Sequence, residues 1–403
     1  MTNLDFRTID VRYHQQDEAD FCGAAVAQMI LAQLGAGILD QGNLQGEAAP
    51  IGQTGIEDRQ LGKLLESRRP QDGGPPFVVS RDDDPGTGVR RIFAALMITG
   101  CAVPASVVDG THWVAVTGVV FDADATPEDA EIRGFFIHNP EPEHTKNAPP
   151  GTNARNAPPH SADDTCGHGH GFGSPNTFVT IHEWLNLYWA PPSRRGGVPY
   201  VTIPRGGRDL YGSVRAETTA VPPGKPLEAA ALRERAIAGI SAYGILLPKS
   251  PLAKALADPT YVEPVLQISS MSNIPSLKSS ERYYVVQVHG AQGAAAYVRI
   301  GASDGRFLSV ETPIAFHLLP EDLFDFASGA LARYEEKNGA LGTWSVTGER
   351  SFTVHPTLVW RPCLQSTSPF QPFVQINLAG TIVYVTMDGK VHPELLRHDG
   401  TPV

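Results

Sequence analysis

Cys22 sits in the stretch Gln16-Asp17-Glu18-Ala19-Asp20-Phe21-Cys22-Gly23 and opens a strongly apolar run, CGAAVAQMILAQL. That run predicts a helix over 22–34, with Asp20 as the candidate N-cap. A helix N-terminus presents unpaired backbone N–H groups and a partial positive charge. Both favour thiolate over thiol, so Cys22 is expected to ionise below the ordinary cysteine value of about 8.5. Gln16 stands six residues earlier. Its side-chain amide and the Cys22 backbone N–H together would make an oxyanion hole. Gln15 competes for that place, and the spacing favours Gln16. Gly23 would let a substrate carbonyl approach the backbone.

A thiolate nucleophile needs a proton carrier. Thr111-His112-Trp113-Val114-Ala115-Val116 offers a histidine at the start of a buried strand, held on a rigid element. The histidine needs an orienting group. Ile137-His138-Asn139-Pro140 closes the next strand. If the two strands form an antiparallel hairpin, their outer ends are neighbours, and Asn139 reaches the His112 ring and fixes its tautomer. Asp109 and Asp122 are nearby in sequence and compete for the orienting role. The bland alternative for Cys22 is a buried structural cysteine, a common fate of free thiols. For His112 it is a satisfied strand-end histidine.

Gln-x5-Cys-Gly-x-Ala opening a helix, His-Trp-Val-x-Val, and Asn-Pro after the next strand together resemble the papain-like cysteine peptidases. Within them the pattern is most similar to the bacteriocin-processing (double-glycine) peptidases and the papain-like effector proteases of plant-associated bacteria. The resemblance covers roughly residues 10–190. It implies Cys22 as nucleophile, His112 as general base and acid, Asn139 as orienter and Gln16 as oxyanion donor. It implies no cofactor and a protein or peptide substrate. Two residues depart from the double-glycine branch: Asn139 where Asp is usual, and Phe21 where a small or acidic residue is common. An isopeptidase or amide transferase would use the same chemistry on another acceptor. A binding or scaffold protein that keeps the shell without turnover is the alternative from another class.

Elements must hold these residues in place. Helices are expected over 57–68 and 86–99, and strands near 101–107, 113–121 and 134–139, with 122–133 as connection. Residues 140–176 are rich in Pro, Asn, Gly and His without periodicity and read as one long loop. A strand end and a short helix follow over 178–189. The expected fold class is α+β: a papain-like domain over 1–205, a linker over 206–225, and two weakly repeated units over 226–319 and 320–403. Each unit reads as a helix (226–243, 320–338) followed by about four antiparallel strands. Pro264, Gln287 and Asp304-Gly305-Arg306 recur as Pro356, Gln375 and Asp388-Gly389-Lys390, the Asp-Gly pairs marking hairpin turns. No catalytic cluster lies in this half, so it is a candidate substrate- or partner-binding module. Its deletion is expected to spare cleavage of a short peptide.

Composition sets the outer bounds. The 403 residues are 41% hydrophobic and 19% charged, which is globular. The net charge is −11, with 15 basic against 25 acidic residues in 1–205 and 17 against 18 in the remainder. Neither part carries the basic stripe that nucleic-acid binding needs. No apolar run is long enough to span a bilayer, and the charged N-terminus does not read as a secretory signal. A cytoplasmic location is the expectation, with leaderless secretion as a second route. Four cysteines are too few for a disulfide scaffold. Cys166, His168 and His170, with His144 and His160 upstream, have zinc-ligand residue types without a tetrahedral frame. That stretch reads instead as a solvated glycine-rich loop over the Cys22 cleft. Cys101 and Cys363 read as inert core residues. Trp184 and Trp189 read as core aromatics, one of which could shield the His112–Asn139 bond from water.

Overall fold

A computed structural model of the chain describes residues 4–122 (except 19, 51, 52, 54, 72, 73, 109 and 111), 130–140, 174–189, 199–206, 215–216, 229–256 (except 249 and 255), 260–270, 282–290, 295–312 (except 303), 323–339, 356–378 (except 362, 364 and 367), 381–396 and 402. The first half supplies β1 (Leu4–Thr8), α1 (Cys22–Gln33), α2 (Gln41–Ala48), α3 (Asp58–Arg68), β2 (Ser80–Asp82), α4 (Pro85–Thr99), β3 (Val103–Val107), β4 (His112–Asp122), β5 (Glu131–Asn139), β6 (Ser174–Thr180), α5 (Ile181–Glu183) and β7 (Tyr200–Thr202). Helix α5 runs directly into a π-helical turn over Trp184–Tyr188. The remainder supplies β8 (Arg215–Ala216), α6 (Ala229–Ala242), β9 (Thr260–Ser270), β10 (Arg282–His289), β11 (Ala295–Gly301), β12 (Phe307–Glu311), α7 (Leu323–Asn338), β13 (Thr357–Trp360), β14 (Phe373–Leu378), β15 (Thr381–Val385) and β16 (Val391–His392). Among the described residues this is a mixed α+β architecture with seven helices and one large, mainly antiparallel sheet.

The elements follow from where their apolar residues must go. Helix α1 is apolar on every side, and every residue from Cys22 to Leu31 is buried. Strand β4 is its platform. Side chains alternate faces along a strand. Trp113 and Ala115 therefore pack on the α1 side with Val26, Ile30 and Leu61. Val114 and Val116 pack on the opposite side with Val89, Ile92 and Phe93 of α4. Asp84 starts α4 by accepting from the Thr87 N–H, and Gly100 ends it at φ 61°. Strand β4 carries β5 along one edge, and β3 and then β1 along the other.

Helices α1, α3 and α4 and strands β3 to β5 lie where the sequence places them, to within a few residues. Strand β1 and helix α2 are additions. The loop expected over 140–176 gives up its last residues to β6, and 141–173 lie outside the described residues. Most of the 206–225 stretch also lies outside them. No helix among the described residues is long and apolar enough to cross a membrane.

The sheet does not stop at the end of the first half. Its order is β16-β15-β14-β13-β9-β10-β11-β12-β6-β5-β4-β3-β7-β2, with β6 pairing antiparallel to both β5 and β12. Phe6, Val120, Phe136 and Phe178 from the first half share one core with Leu232, Ala236, Ile240, Val298 and Val310. A Cβ at Gly239 of α6 would lie 2.1 Å from the Phe307 ring, so glycine is what lets α6 lie that close to β12. Glu183 and Arg299 form a buried ion pair across the same junction, with the guanidinium 4.3 Å over the Tyr283 ring. Cutting the chain between its halves would unpair β6 and strand Glu183.

Candidate active site

The β4–β5 ladder starts at Ala115 opposite His138, so the chain ends at His112 and Asn139 come together. His112 Nε2 and Asn139 Oδ1 are 2.7 Å apart, and both residues are buried. An amide oxygen only accepts, so Nε2 is the donor in this contact. The competing Asp122 lies at the far end of β4, where it is paired with Arg133 at 3.1 Å. Asp109 lies outside the described residues.

Cys22 is the first residue of α1. The N-cap is Phe21, at φ −92° and ψ 15°, and no side chain caps the helix. Asp20 therefore does not take the capping place that its residue type suggested. The free backbone groups of the first turn serve the thiol instead. The backbone groups of Trp113, Gly23 and Cys22 itself hydrogen-bond the sulfur and favour thiolate. Burial outweighs them and pushes the thiol up to about 11, with the Asp20 charge adding to the rise. The expected depressed pKa is overturned. The helix terminus does act in that direction, and desolvation is larger.

Gln16 is buried. Its backbone N–H donates to Pro140 O at 2.9 Å, and its Nε2 donates to Glu18 O at 2.8 Å. One of its two amide hydrogens is thus used locally, so an oxyanion role calls on the other. Gln15 contributes its carbonyl to Gln41 Nε2 at 2.7 Å, and Gln41 Oε1 accepts from the Asp17 N–H at 3.0 Å. Helix α2 thereby pins the segment leading into Cys22. Gly23 proves to be a packing residue: a Cβ there would lie 3.0 Å from Ile56 Cβ and 3.5 Å from the Trp113 ring. Trp113 itself donates from Nε1 to Ile56 O at 3.0 Å.

The sequence reading missed Tyr13, His138 and Gln41. The Tyr13 hydroxyl donates to Asn139 O at 2.9 Å. The His138 ring lies between Val11 O, 2.8 Å from Nε2, and the Asn176 N–H, 3.0 Å from Nδ1. Burial pulls the His138 pKa down to about 4, so it is neutral at ordinary pH. Gln41 is the first residue of α2, which Asp40 caps through the Asn43 N–H. Tyr13 and His138 carry no local signal, since Tyr13 meets Asn139 126 residues away and His138 meets Val11 127 and Asn176 38 residues away.

Trp184 and Trp189 are fully buried in the α4-side core, where Trp189 Nε1 donates to Ser106 O at 2.9 Å. Cys101 and Cys363 are buried free cysteines. His144, His160, Cys166, His168 and His170 lie outside the described residues, among which no group of His, Cys, Asp and Glu could hold a metal ion. No family model, no curated protein and no solved structure matches the chain.

Proposed function

We propose that the chain is a cysteine peptidase of papain-like architecture, with Cys22 as nucleophile, His112 as general base and acid, Asn139 as orienter and Gln16 as oxyanion donor. One observation carries the reading. His112 Nε2 meets Asn139 Oδ1 at 2.7 Å, while the Cys22 sulfur rests on the backbone of Trp113, the next residue along. Three segments far apart in sequence converge on a thiol, an imidazole and an amide, the types that acyl transfer by sulfur requires.

Burial disfavours a lone thiolate at Cys22. His112 Nδ1 takes the thiol proton as sulfur attacks the substrate carbonyl carbon, so the pair and not the thiol alone titrates. The Cys22 N–H and the Gln16 amide stabilise the oxygen that becomes negative. His112 then hands the proton to the leaving amine, and the C–N bond breaks to leave a thioester. Water gives a proton to His112 and attacks the thioester. The C–S bond breaks and the sulfur is reprotonated. Asn139 keeps the ring in its Nε2–H tautomer throughout.

The second half is read here as two related units that recognise a protein substrate or partner. The helix-then-four-strands order occurs twice, as α6 with β9–β12 and α7 with β13–β16. The loops over 302–306 and 386–390 are equal in length and hold Gly305 and Gly389 at φ 64° and 81°. In each the aspartate accepts from the N–H two residues on, at 2.9 Å to Arg306 and 3.4 Å to Lys390.

The raised thiol pKa favours a second reading, an unreactive shell that only binds. Iodoacetamide alkylation of Cys22, Cys101 and Cys363, followed by mass spectrometry from pH 5 to 10, separates the two. A peptidase gives a Cys22 rate at pH 6–7 at least about tenfold above the other two, lost in His112→Ala. Cys22 reactivity that appears only at alkaline pH, and is the same in His112→Ala, leaves the binding shell.

A further inference from the structure

The end of β5 is held by something other than its own sheet. Pairing with β4 finishes at His138, and pairing with β6 slips between Ile137 and Asn139. Asn176 occupies the slip at φ 55°. Asn139, which must hold its amide oxygen toward His112, thus sits where the ladder is irregular.

The arm between β1 and α1 takes over. Three consecutive residues at the end of β5 are each bonded to it. His138 Nε2 meets Val11 O at 2.8 Å, Asn139 O accepts from the Tyr13 hydroxyl at 2.9 Å, and Pro140 O accepts from the Gln16 N–H at 2.9 Å. The start of the arm is tied to β4 by Ile9 N–H on Thr117 O at 2.7 Å. The arm then runs on into Cys22. Of the three bonds to β5, only the central one comes from an arm side chain. Tyr13 is buried and its ring stands edge-on to His138, with centroids 5.5 Å apart at 86°. A phenol ring has two soft torsions, and packing on that face fixes both. Its hydroxyl is therefore a fixed point against the Asn139 main chain.

We infer that Tyr13 is a positioning residue, whose hydroxyl fixes the Asn139 backbone so that Oδ1 stays on His112 Nε2 and Nδ1 stays free of a proton to receive one from Cys22. The inference rests on the peptidase reading above. Losing the hydroxyl frees Asn139 to turn, and a turned amide presents N–H to the ring, which favours the wrong tautomer.

The test uses Tyr13→Phe in the full chain, which keeps the ring and its packing on His138. Two readouts are followed: the pH profile of Cys22 alkylation by iodoacetamide, and the ring 15N shifts of His112 in histidine-labelled protein. Expected are a rate at pH 6–7 lower by about five- to tenfold, as for loss of one buried hydrogen bond, and appearance of the Nδ1–H tautomer. Tyr283→Phe is the control, since it removes a comparable buried hydroxyl bond, to Pro369 O at 2.6 Å, far from the site. A wild-type profile and tautomer in Tyr13→Phe overturn the proposal, and so does an equal change in Tyr283→Phe. Should Tyr13→Phe not fold, the wild type decides: Nδ1 of His112 carrying the proton at pH 7.5 overturns the proposal, and an unprotonated Nδ1 supports it. If His112→Ala leaves Cys22 reactivity unchanged, the peptidase reading fails first. If His112→Ala acts and Tyr13→Phe does not, the positioning role alone fails.

Discussion

Two of the buried polar clusters among the described residues differ in chemical style. At the Cys22 end no carboxylate or guanidinium takes part: the groups are a thiol, two imidazoles, amides and a phenol, joined by hydrogen bonds across α1, the 9–16 arm, β4 and β5. At the junction of the halves they are charged, with Glu183 and Arg299 paired and sealed from water. Neutral groups are cheaper to bury, and a proton can move among them. A buried ion pair is costly to assemble, and losing one member costs more still. The first arrangement suits a site that must change charge. The second suits a joint that must not.

The two regions also differ in backbone strain. The two non-glycine residues with positive φ among those described, Val108 at 53° and Asn176 at 55°, flank the site end. Val108 lies in the turn leading into His112, and Asn176 is bonded to His138. Strain at a β-branched residue costs of order 1–3 kcal/mol and persists only where the surroundings impose it.

Breaking the joint outright gives the largest effect. Ending the chain at residue 225 removes β12 from β6 and exposes Phe136 and Phe178. The fragment is expected to aggregate or to lack cooperative melting by circular dichroism. A fragment that melts cooperatively and keeps wild-type Cys22 reactivity would reverse the assignment of the joint. Arg299→Met tests the same joint by one side chain. Leaving Glu183 charged and buried should cost about 3–5 kcal/mol in urea denaturation, much of it recovered in Arg299→Met with Glu183→Leu.

The neutral end responds to acid. His138 holds a folded pKa of about 4 against an unfolded value of 6.5. Between those values the unfolded chain binds the extra proton, so stability is complete above 6.5 and falls as pH drops toward 4. The full loss is about 3 kcal/mol at 1.36 kcal/mol per pKa unit. Urea midpoints from pH 7.5 to 4 should follow that slope and flatten in His138→Gln. An identical slope in the variant would remove His138 as the cause. The smallest effect concerns strain: Val108→Gly should raise stability by up to about 1 kcal/mol, because glycine accepts positive φ, less its extra entropy when unfolded. A drop in melting temperature would show that the Val108 side chain contributes more than its backbone costs.

Much of the frame was legible in the chain. The apolar run from Cys22 betrays α1 because a helix enclosed on all sides must be apolar on all sides. The Val- and Phe-rich stretches betray β4 and β5 by the same reasoning for a central strand. From their antiparallel pairing, the meeting of His112 with Asn139 follows. Strand β1 was readable too, since Leu-Asp-Phe-Arg alternates with period two. Helix α2 was not, because Gln-Gly-Asn-Leu-Gln-Gly-Glu-Ala has no apolar stripe and two glycines.

The sequence by itself determined which residue types stand at helix starts and strand ends, because those depend on local hydrophobic period and turn chemistry. Only the tertiary structure decided that Val11, Tyr13 and Gln16 hold the end of β5, and that β6 joins two halves into one sheet. It also decided that burial outweighs the helix terminus at Cys22. Each of these depends on which distant groups exclude water from one another, and no local pattern encodes that.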